Sequence, residues 1–155
     1  MNKKYFISVL TMILVIPAIG FLIEQILQNI PSTFDMFAKW FIFSAAGLRL
    51  FVAGIKQSIN PYFTAKEIFH IENAESCFPI VRELGFANIC FGIVGIVSLF
   101  KSEWREVCAF ASGLYYALAA LLHILRKPAG TNELFALWTN LIIFGVLLIY
   151  IITII

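Results

Sequence analysis

Five long stretches of this chain carry little or no charge, and the last of them, residues 134–155, carries none at all. A helix of about 20 apolar residues crosses the roughly 30 Å hydrocarbon layer of a membrane and satisfies its own backbone hydrogen bonds there. The stretches therefore predict an all-α integral membrane bundle of five transmembrane helices, at about residues 5–23, 37–55, 84–100, 107–125 and 134–155. No linker interrupts them, so we expect a single domain over residues 1–155.

Composition supports this prediction. The chain is 61% hydrophobic and only 13% charged, whereas soluble domains average about 25% charged residues. The surplus apolar surface is too large for the core of a small soluble domain, and we expect it to face the lipid bilayer. The net charge of +2 is small and scattered, which excludes a nucleic-acid surface.

The first stretch could be a retained helix or a signal peptide. Lys3 and Lys4 precede it, as in both classes. A signal peptide has an apolar region of about 7–15 residues followed by small residues at the cleavage site, whereas this stretch is longer and ends in Phe-Leu-Ile-Glu. We favour the retained helix; cleavage would leave four.

The distribution of Lys and Arg predicts the orientation, because cytoplasmic loops collect these residues. With the amino terminus inside, the inner side holds seven of them: Lys3, Lys4, Lys56, Lys66, Arg82, Arg126 and Lys127. The outer side holds three: Lys39, Lys101 and Arg105. We therefore expect a multi-pass protein of the cell membrane with a cytoplasmic amino terminus and an external carboxyl terminus.

One group of polar residues falls at the same depth of the predicted bundle. Arg49 lies inside the second stretch, where a charge costs about 2.5–3.5 kcal/mol on insertion scales. The candidate ligand-binding residues at this depth are Arg49, Arg82, Glu83, Asn88, Tyr116, His123 and Asn140. Glu83 and Glu133 are the candidate counter-ions for Arg49. Two readings stay open: an ion network that packs the helices, or a ligand site.

Helical spacing predicts which faces pack. Residues three, four and seven apart share one side of a helix. In the third stretch this rule collects Gly85, Asn88, Gly92 and Gly95; in the fourth it collects Cys108, Ser112, Tyr116, Ala119 and His123. Small residues allow close approach of a second backbone, so both faces are expected to be buried, with Asn88 bridging to a neighbour.

The long connection between the second and third stretches, residues 56–79, is the largest loop. Thr64 to Glu67, followed by Ile68 and Phe69, could form a short helix lying flat on the membrane, or an ordinary solvated loop.

Cysteine and histidine give no sign of a metal or redox site. The three cysteines, Cys77, Cys90 and Cys108, are far apart and form no C-x-x-C pair. The two histidines, His70 and His123, are distant in sequence. We expect no cofactor and no metal.

The run Arg82-Glu83-Leu84-Gly85-Phe86-Ala87-Asn88, with Gly92 and Gly95 after it, resembles the most recognisable segment of a family of small prokaryotic multi-pass membrane proteins of unknown function. The resemblance continues through His123, Asn132 and the closing apolar helix. It implies a membrane fold but no reaction or substrate. This chain has Gly54-Ile55-Lys56 where the family has a histidine, so no histidine-pair site is implied.

No complete catalytic motif is present, so we expect a non-enzymatic multi-pass membrane protein whose polar cluster either packs the helices or holds a small amphipathic ligand, such as a lipid headgroup or a quinone. The main alternative is a small membrane-embedded enzyme similar to the microsomal glutathione transferases, which use an Arg and an Asn near one membrane face; Arg82 and Asn88 are the residues that suggest it. A small transporter or channel component is a further alternative. A homo-oligomer is left open.

Overall fold

The computed structural model describes residues 2–29, 31 and 33–155. The structure is 86% helical, and the described residues contain no strand. Five long helices follow one another: α1 (Lys3–Gln28), α2 (Phe34–Ile59), α3 (Ala74–Val97), α4 (Glu103–Arg126) and α5 (Thr131–Ile154). All five are long and apolar enough to cross a membrane, which confirms the predicted fold class.

Helix α2 lies at the centre of the bundle. In its most apolar window 56% of the residues are buried, against 28–39% in the other four helices. The outward faces of the surrounding helices carry large exposed apolar side chains, among them Leu14, Ile26, Phe86, Phe110 and Ile152. Exposed apolar area on this scale is unusual for a soluble monomer and is compatible with a membrane protein.

The helices are mostly longer than the apolar stretches that predicted them. Helix α3 begins at Ala74 with a 3₁₀ turn and includes Arg82 and Glu83, although the sequence reading began it at residue 84. It also ends at Val97 rather than at residue 100. Charged residues stop an apolar stretch but not a helix, because their side chains can extend away from the helix while the backbone hydrogen bonds continue.

Glycines bring α2 and α3 into backbone contact. A Cβ atom on Gly95 would lie 2.4 Å from the Cα of Gly47, and one on Gly85 would lie 2.9 Å from the carbonyl oxygen of Gly54. Neither helix could approach so closely with larger side chains. The face predicted from the spacing of Gly85, Gly92 and Gly95 therefore packs as expected, and it packs on α2.

Helices α1 and α2 each contain a π-helical turn, at Thr11–Val15 and Ile42–Leu48. The two turns meet where the hydroxyl of Ser44 donates to the carbonyl of Met12 at 2.7 Å. Pro17, just after the first turn, lacks the amide hydrogen that would complete a regular helix there. The second turn ends at Leu48, directly before Arg49, and changes the rotation of α2 at that point.

The connection between α2 and α3 folds over one end of the bundle. Its short helix, Phe63–Ile68, buries Thr64, Ala65 and Ile68 against the protein. The predicted short helix is therefore present, but its apolar side faces the bundle rather than a membrane or solvent. We call residues 63–70 the cap.

Candidate functional site

A cavity of about 380 Å³ opens at the end of the bundle where α1 begins. All five long helices and the cap contribute to its wall. Its polar or aromatic lining residues include Lys4, Tyr5, Ser8, Arg49, Lys56, Gln57, Phe63, Thr64, Phe69, Asn88, Tyr115, Tyr116, His123 and Asn140. Most ligand sites combine apolar walls with a few convergent polar groups in this way.

Arg49 is the buried charged residue of the cavity lining, and it is only 8% exposed. Its Nη2 donates to the hydroxyl of Thr139 at 2.9 Å and to Oδ1 of Asn140 at 3.1 Å. The guanidinium also lies over the ring of Tyr116, 5.1 Å from the centroid. All three partners are neutral, and the predicted counter-ions do not reach it.

The surroundings of Arg49 are held in place by further hydrogen bonds. The hydroxyl of Tyr116 donates to the carbonyl of Ala45 at 3.0 Å, which fixes the ring beneath the guanidinium. The hydroxyl of Thr139 donates to the carbonyls of its own helix, at Phe135 and Ala136. Its oxygen is therefore free to accept from Arg49, and the site is preorganised around the cation.

Asn88 enters the cavity from α3 and is 2% exposed. Its Nδ2 donates to Oε1 of Gln57 on α2 at 2.7 Å. This is the bridge to a neighbouring helix that the glycine face predicted. The amide oxygen of Asn88 has no partner among the described residues, so one half of the side chain ties the helices together and the other half remains available.

His123 lines the cavity, and Glu133 pairs with it from behind the wall. Nδ1 of His123 lies 3.1 Å from Oε1 of Glu133, and both side chains are almost fully buried. The other carboxylate oxygen of Glu133 accepts the backbone N–H of Ala129 at 3.0 Å. Glu133 therefore orients an imidazole instead of balancing Arg49, which corrects the sequence expectation. The reason is distance along the helix: Glu133 lies at the start of α5, nearly two turns before Thr139 and Asn140, the residues that contact Arg49.

The cap closes part of the cavity through aromatic contacts. Phe63 packs against Tyr5 with 5.4 Å between centroids, and Nζ of Lys56 lies 3.6 Å from the centroid of the Phe63 ring. Phe69 stacks on His123 at 5.8 Å. The guanidinium of Arg126 also lies over the Phe69 ring, 4.7 Å from its centroid, and donates to the Phe69 carbonyl at 2.7 Å. These contacts tie the cap to α1, α2 and α4.

The opposite half of the bundle offers no continuation of the cavity among the described residues. There Glu24 binds Lys39 and the indole N–H of Trp40. The hydroxyl of Ser98 donates to the carbonyl of Gly95. Apolar residues fill the interior beyond Arg49, including Ala46, Ile143 and Leu147. These polar residues are thus engaged within the protein, and apolar side chains close the inner end of the cavity.

The structure brings five of the seven candidate residues to the cavity: Arg49, Asn88, Tyr116, His123 and Asn140. It does not bring Arg82 or Glu83, whose positions on α3 are exposed and outside the lining. Asn88 and Gly85 are buried on the face turned to α2; a rotation of 100° per residue puts Glu83 on roughly the opposite side of α3 and Arg82 at the margin of that face, where it is exposed. Arg82 and Glu83 therefore do not line this cavity, and Glu83, a candidate counter-ion for Arg49, does not pair with it.

Sequence reasoning missed the contribution of α1. Lys4, Ser8 and Met12 line the cavity and are spaced by four residues, so they occupy one face of the helix. That spacing was a usable signal. Phe63 and Phe69 had no such signal, because their positions depend on how the connection folds back.

The fold and the cavity define an all-α bundle with an apolar exterior and an amphipathic cavity at one end. The chain belongs to a family of unknown function (DUF6790), whose sequence profile matches residues 4–155. Membership in a family of unknown function was predicted; its membrane character, its prokaryotic origin and the role of the Gly-Phe-Ala-Asn motif remain predictions. No curated protein and no solved structure shows a significant match.

Proposed function

We propose that this protein is a multi-pass integral membrane protein that binds a small amphipathic ligand, such as a lipid headgroup or a quinone, in the cavity at the amino-terminal end of the bundle. The orientation predicted from Lys and Arg places that end at the cytoplasmic leaflet of the cell membrane. The polar part of the ligand lies beside Arg49 and Asn88, and its apolar part lies along the aliphatic wall.

One observation carries the proposal. Two buried side-chain atoms among the described residues lack a hydrogen-bond partner, Nη1 of Arg49 and Oδ1 of Asn88. Both residues line the same cavity. A buried polar atom without a partner costs about 1–3 kcal/mol, and more when it is charged. A ligand with a polar head would supply an acceptor for Nη1 of Arg49 and a donor for Oδ1 of Asn88, and so relieve both costs.

The wall of the cavity supports the second half of the proposal. Val9, Met12, Leu50, Val52 and Leu84 line it alongside the polar groups. A free polar solute would gain nothing from contact with so much aliphatic surface. A ligand with a chain or a ring beside its head buries that surface and gains from the hydrophobic effect.

Photolabelling tests the proposal. The full chain in lipid nanodiscs is irradiated with two probes, a phospholipid bearing a diazirine on its acyl chain and an azido-quinone, and the labelled residues are mapped by mass spectrometry. At least one probe should label residues that line the cavity. Ala53→Phe, which fills the cavity, should abolish that labelling, and Ala87→Phe, an exposed position outside the lining, should not. Labelling confined to the outer surface, alike in both variants, would refute a ligand site.

An enzyme is the second candidate, and the pair formed by His123 and Glu133 favours it. A carboxylate that holds one imidazole nitrogen leaves the other for proton transfer, and His123 lines the cavity. The glutathione-transferase resemblance loses support, because Arg82 is exposed away from Asn88. If the protein is an enzyme, His123→Gln should change which chemical form of the cavity ligand co-purifies, with substrate replacing product. An unchanged bound molecule would favour the binding protein.

A further inference from the structure

We infer that the ligand of this cavity is an anion, with a phosphate or carboxylate head on an apolar chain; the inference rests on the proposed function and specifies its ligand. Amphipathic ligands can be neutral, cationic or anionic. The charges of the lining residues distinguish these classes.

The formally charged side chains that line the cavity are all basic: Lys4, Arg49 and Lys56. None of the described lining residues is Asp or Glu. The carboxylate of Glu133 lies behind His123 and accepts from that ring and from the Ala129 amide. A cationic head would meet only like charges here, so the cavity excludes it.

Arg49 distinguishes an anion from a neutral head. Taking a cation out of water costs several kcal/mol unless an opposite charge and hydrogen bonds compensate it. Within the part of the chain that the structure describes, Nη2 of Arg49 has two neutral acceptors and Nη1 has none. None of the three ion pairs found among the described residues includes Arg49. An anionic oxygen supplies both missing elements, a countercharge and an acceptor for Nη1.

The geometry of arginine suits this role. A guanidinium presents several N–H groups in one plane and binds phosphate and carboxylate oxygens through charge-assisted hydrogen bonds. The ring of Tyr116 beneath Arg49 and the acceptors Thr139 and Asn140 fix that plane. The free edge of the guanidinium is therefore preorganised for the head of the ligand.

Lys4 and Lys56 add positive charge at the opening of the cavity, where both residues are exposed. Nζ of Lys56 is held against the Phe63 ring of the cap. Exposed cations near an opening attract an anion and raise its local concentration. The cavity thus has two basic residues at its opening, Lys4 and Lys56, and one buried in its wall, Arg49.

Matched amphiphiles test the charge of the ligand. The full chain in dodecyl maltoside is titrated with dodecyl phosphate, with the neutral alcohol dodecanol and with inorganic phosphate, and binding is followed through the shift of the thermal unfolding midpoint. We expect dodecyl phosphate to stabilise the wild type most strongly. Arg49→Gln should weaken its binding by about tenfold or more, as expected for loss of a charge-assisted hydrogen bond. Arg82→Gln is the matched control, since Arg82 is exposed at the same end of the bundle but outside the cavity, and it should bind as the wild type does.

A second variant tests the same inference if Arg49→Gln does not fold. Lys4→Gln combined with Lys56→Gln changes exposed side chains only and should weaken binding of dodecyl phosphate by about threefold to tenfold. Unchanged binding in both the Arg49 and the double Lys variants would overturn the inference.

The remaining outcomes separate the two proposals. Equal binding of dodecyl phosphate and dodecanol would overturn the anion and leave the amphipathic site standing. Inorganic phosphate that binds as tightly as dodecyl phosphate, with the same dependence on Arg49, would keep the anion but assign a free ion instead of a lipid. Absence of binding for all three probes, together with no labelling of the cavity, would refute both proposals.

Discussion

Nδ1 of His123 lies 3.1 Å from Oε1 of Glu133, so the end of α4 and the start of α5 are joined through two side chains ten residues apart. Glu133 is 1% exposed and also accepts the backbone N–H of Ala129. One carboxylate thereby fixes the imidazole in the cavity wall and the loop that connects the two helices.

Removal of this carboxylate should destabilise the bundle. Glu133→Ala leaves the Ala129 amide and the His123 ring without their acceptor, and we expect the free energy of unfolding to fall by about 1–3 kcal/mol. Thermal unfolding in detergent measures the change. Glu83→Ala is the control, because this carboxylate is exposed, and its effect should stay within about 0.5 kcal/mol. Similar losses in both variants would contradict the role given to Glu133.

Removal of Arg49 should be tolerated far better. Arg49→Leu takes away a buried cation whose partners are all neutral, so no carboxylate is left without its countercharge. We expect monodisperse protein on size-exclusion chromatography and an unfolding midpoint near that of the wild type. A fall in the unfolding midpoint as large as that of Glu133→Ala would favour the alternative in which Arg49 serves helix packing.

Close packing of α2 on α3 should depend on glycine at one position and not at another. Gly95→Ala places a methyl group 2.4 Å from the Cα of Gly47, and overpacking of this kind costs about 1–3 kcal/mol. A Cβ on Gly145 meets nothing within 4 Å, so Gly145→Ala should be neutral or stabilise the helix by up to about 1 kcal/mol. Unfolding in detergent compares the pair, and equal stability of the two variants would refute the packing at Gly95.

Topology is the next prediction. Seven Lys and Arg residues fall on the side of the amino terminus and three on the other, so a reporter active only in the cytoplasm should be active at the amino terminus and silent at the carboxyl terminus. A reporter active only outside the cytoplasm should give the reverse pattern. Activity of both fusions on the same side would show that the number of spans is even.

The sequence was informative where a single helix decides the outcome. The long apolar stretches predicted five helices, and the spacing of Gly85, Gly92 and Gly95 predicted a buried face. Both properties follow from the length and period of one helix. The convergence of Arg49, Asn88, Tyr116, His123 and Asn140 also followed, because antiparallel helices return polar residues to the same depth.

The sequence was less informative where two helices must be rotated relative to each other. Depth alone made Glu83 and Glu133 equal candidates as partners of Arg49, yet one is exposed and the other binds His123. The π-helical turn that ends at Leu48 changes the side of α2 on which Arg49 lies, and the residue pattern did not predict this turn. The cap was similarly unpredictable in detail, since the positions of Phe63 and Phe69 depend on tertiary contacts.

Native mass spectrometry of the chain released from its own membranes tests the central claim most directly. The account predicts that the wild type and Arg82→Gln retain one small anionic amphiphile, and that Arg49→Gln arrives without it. Wild-type protein free of any bound molecule, or a neutral lipid retained equally by all three forms, would contradict the account.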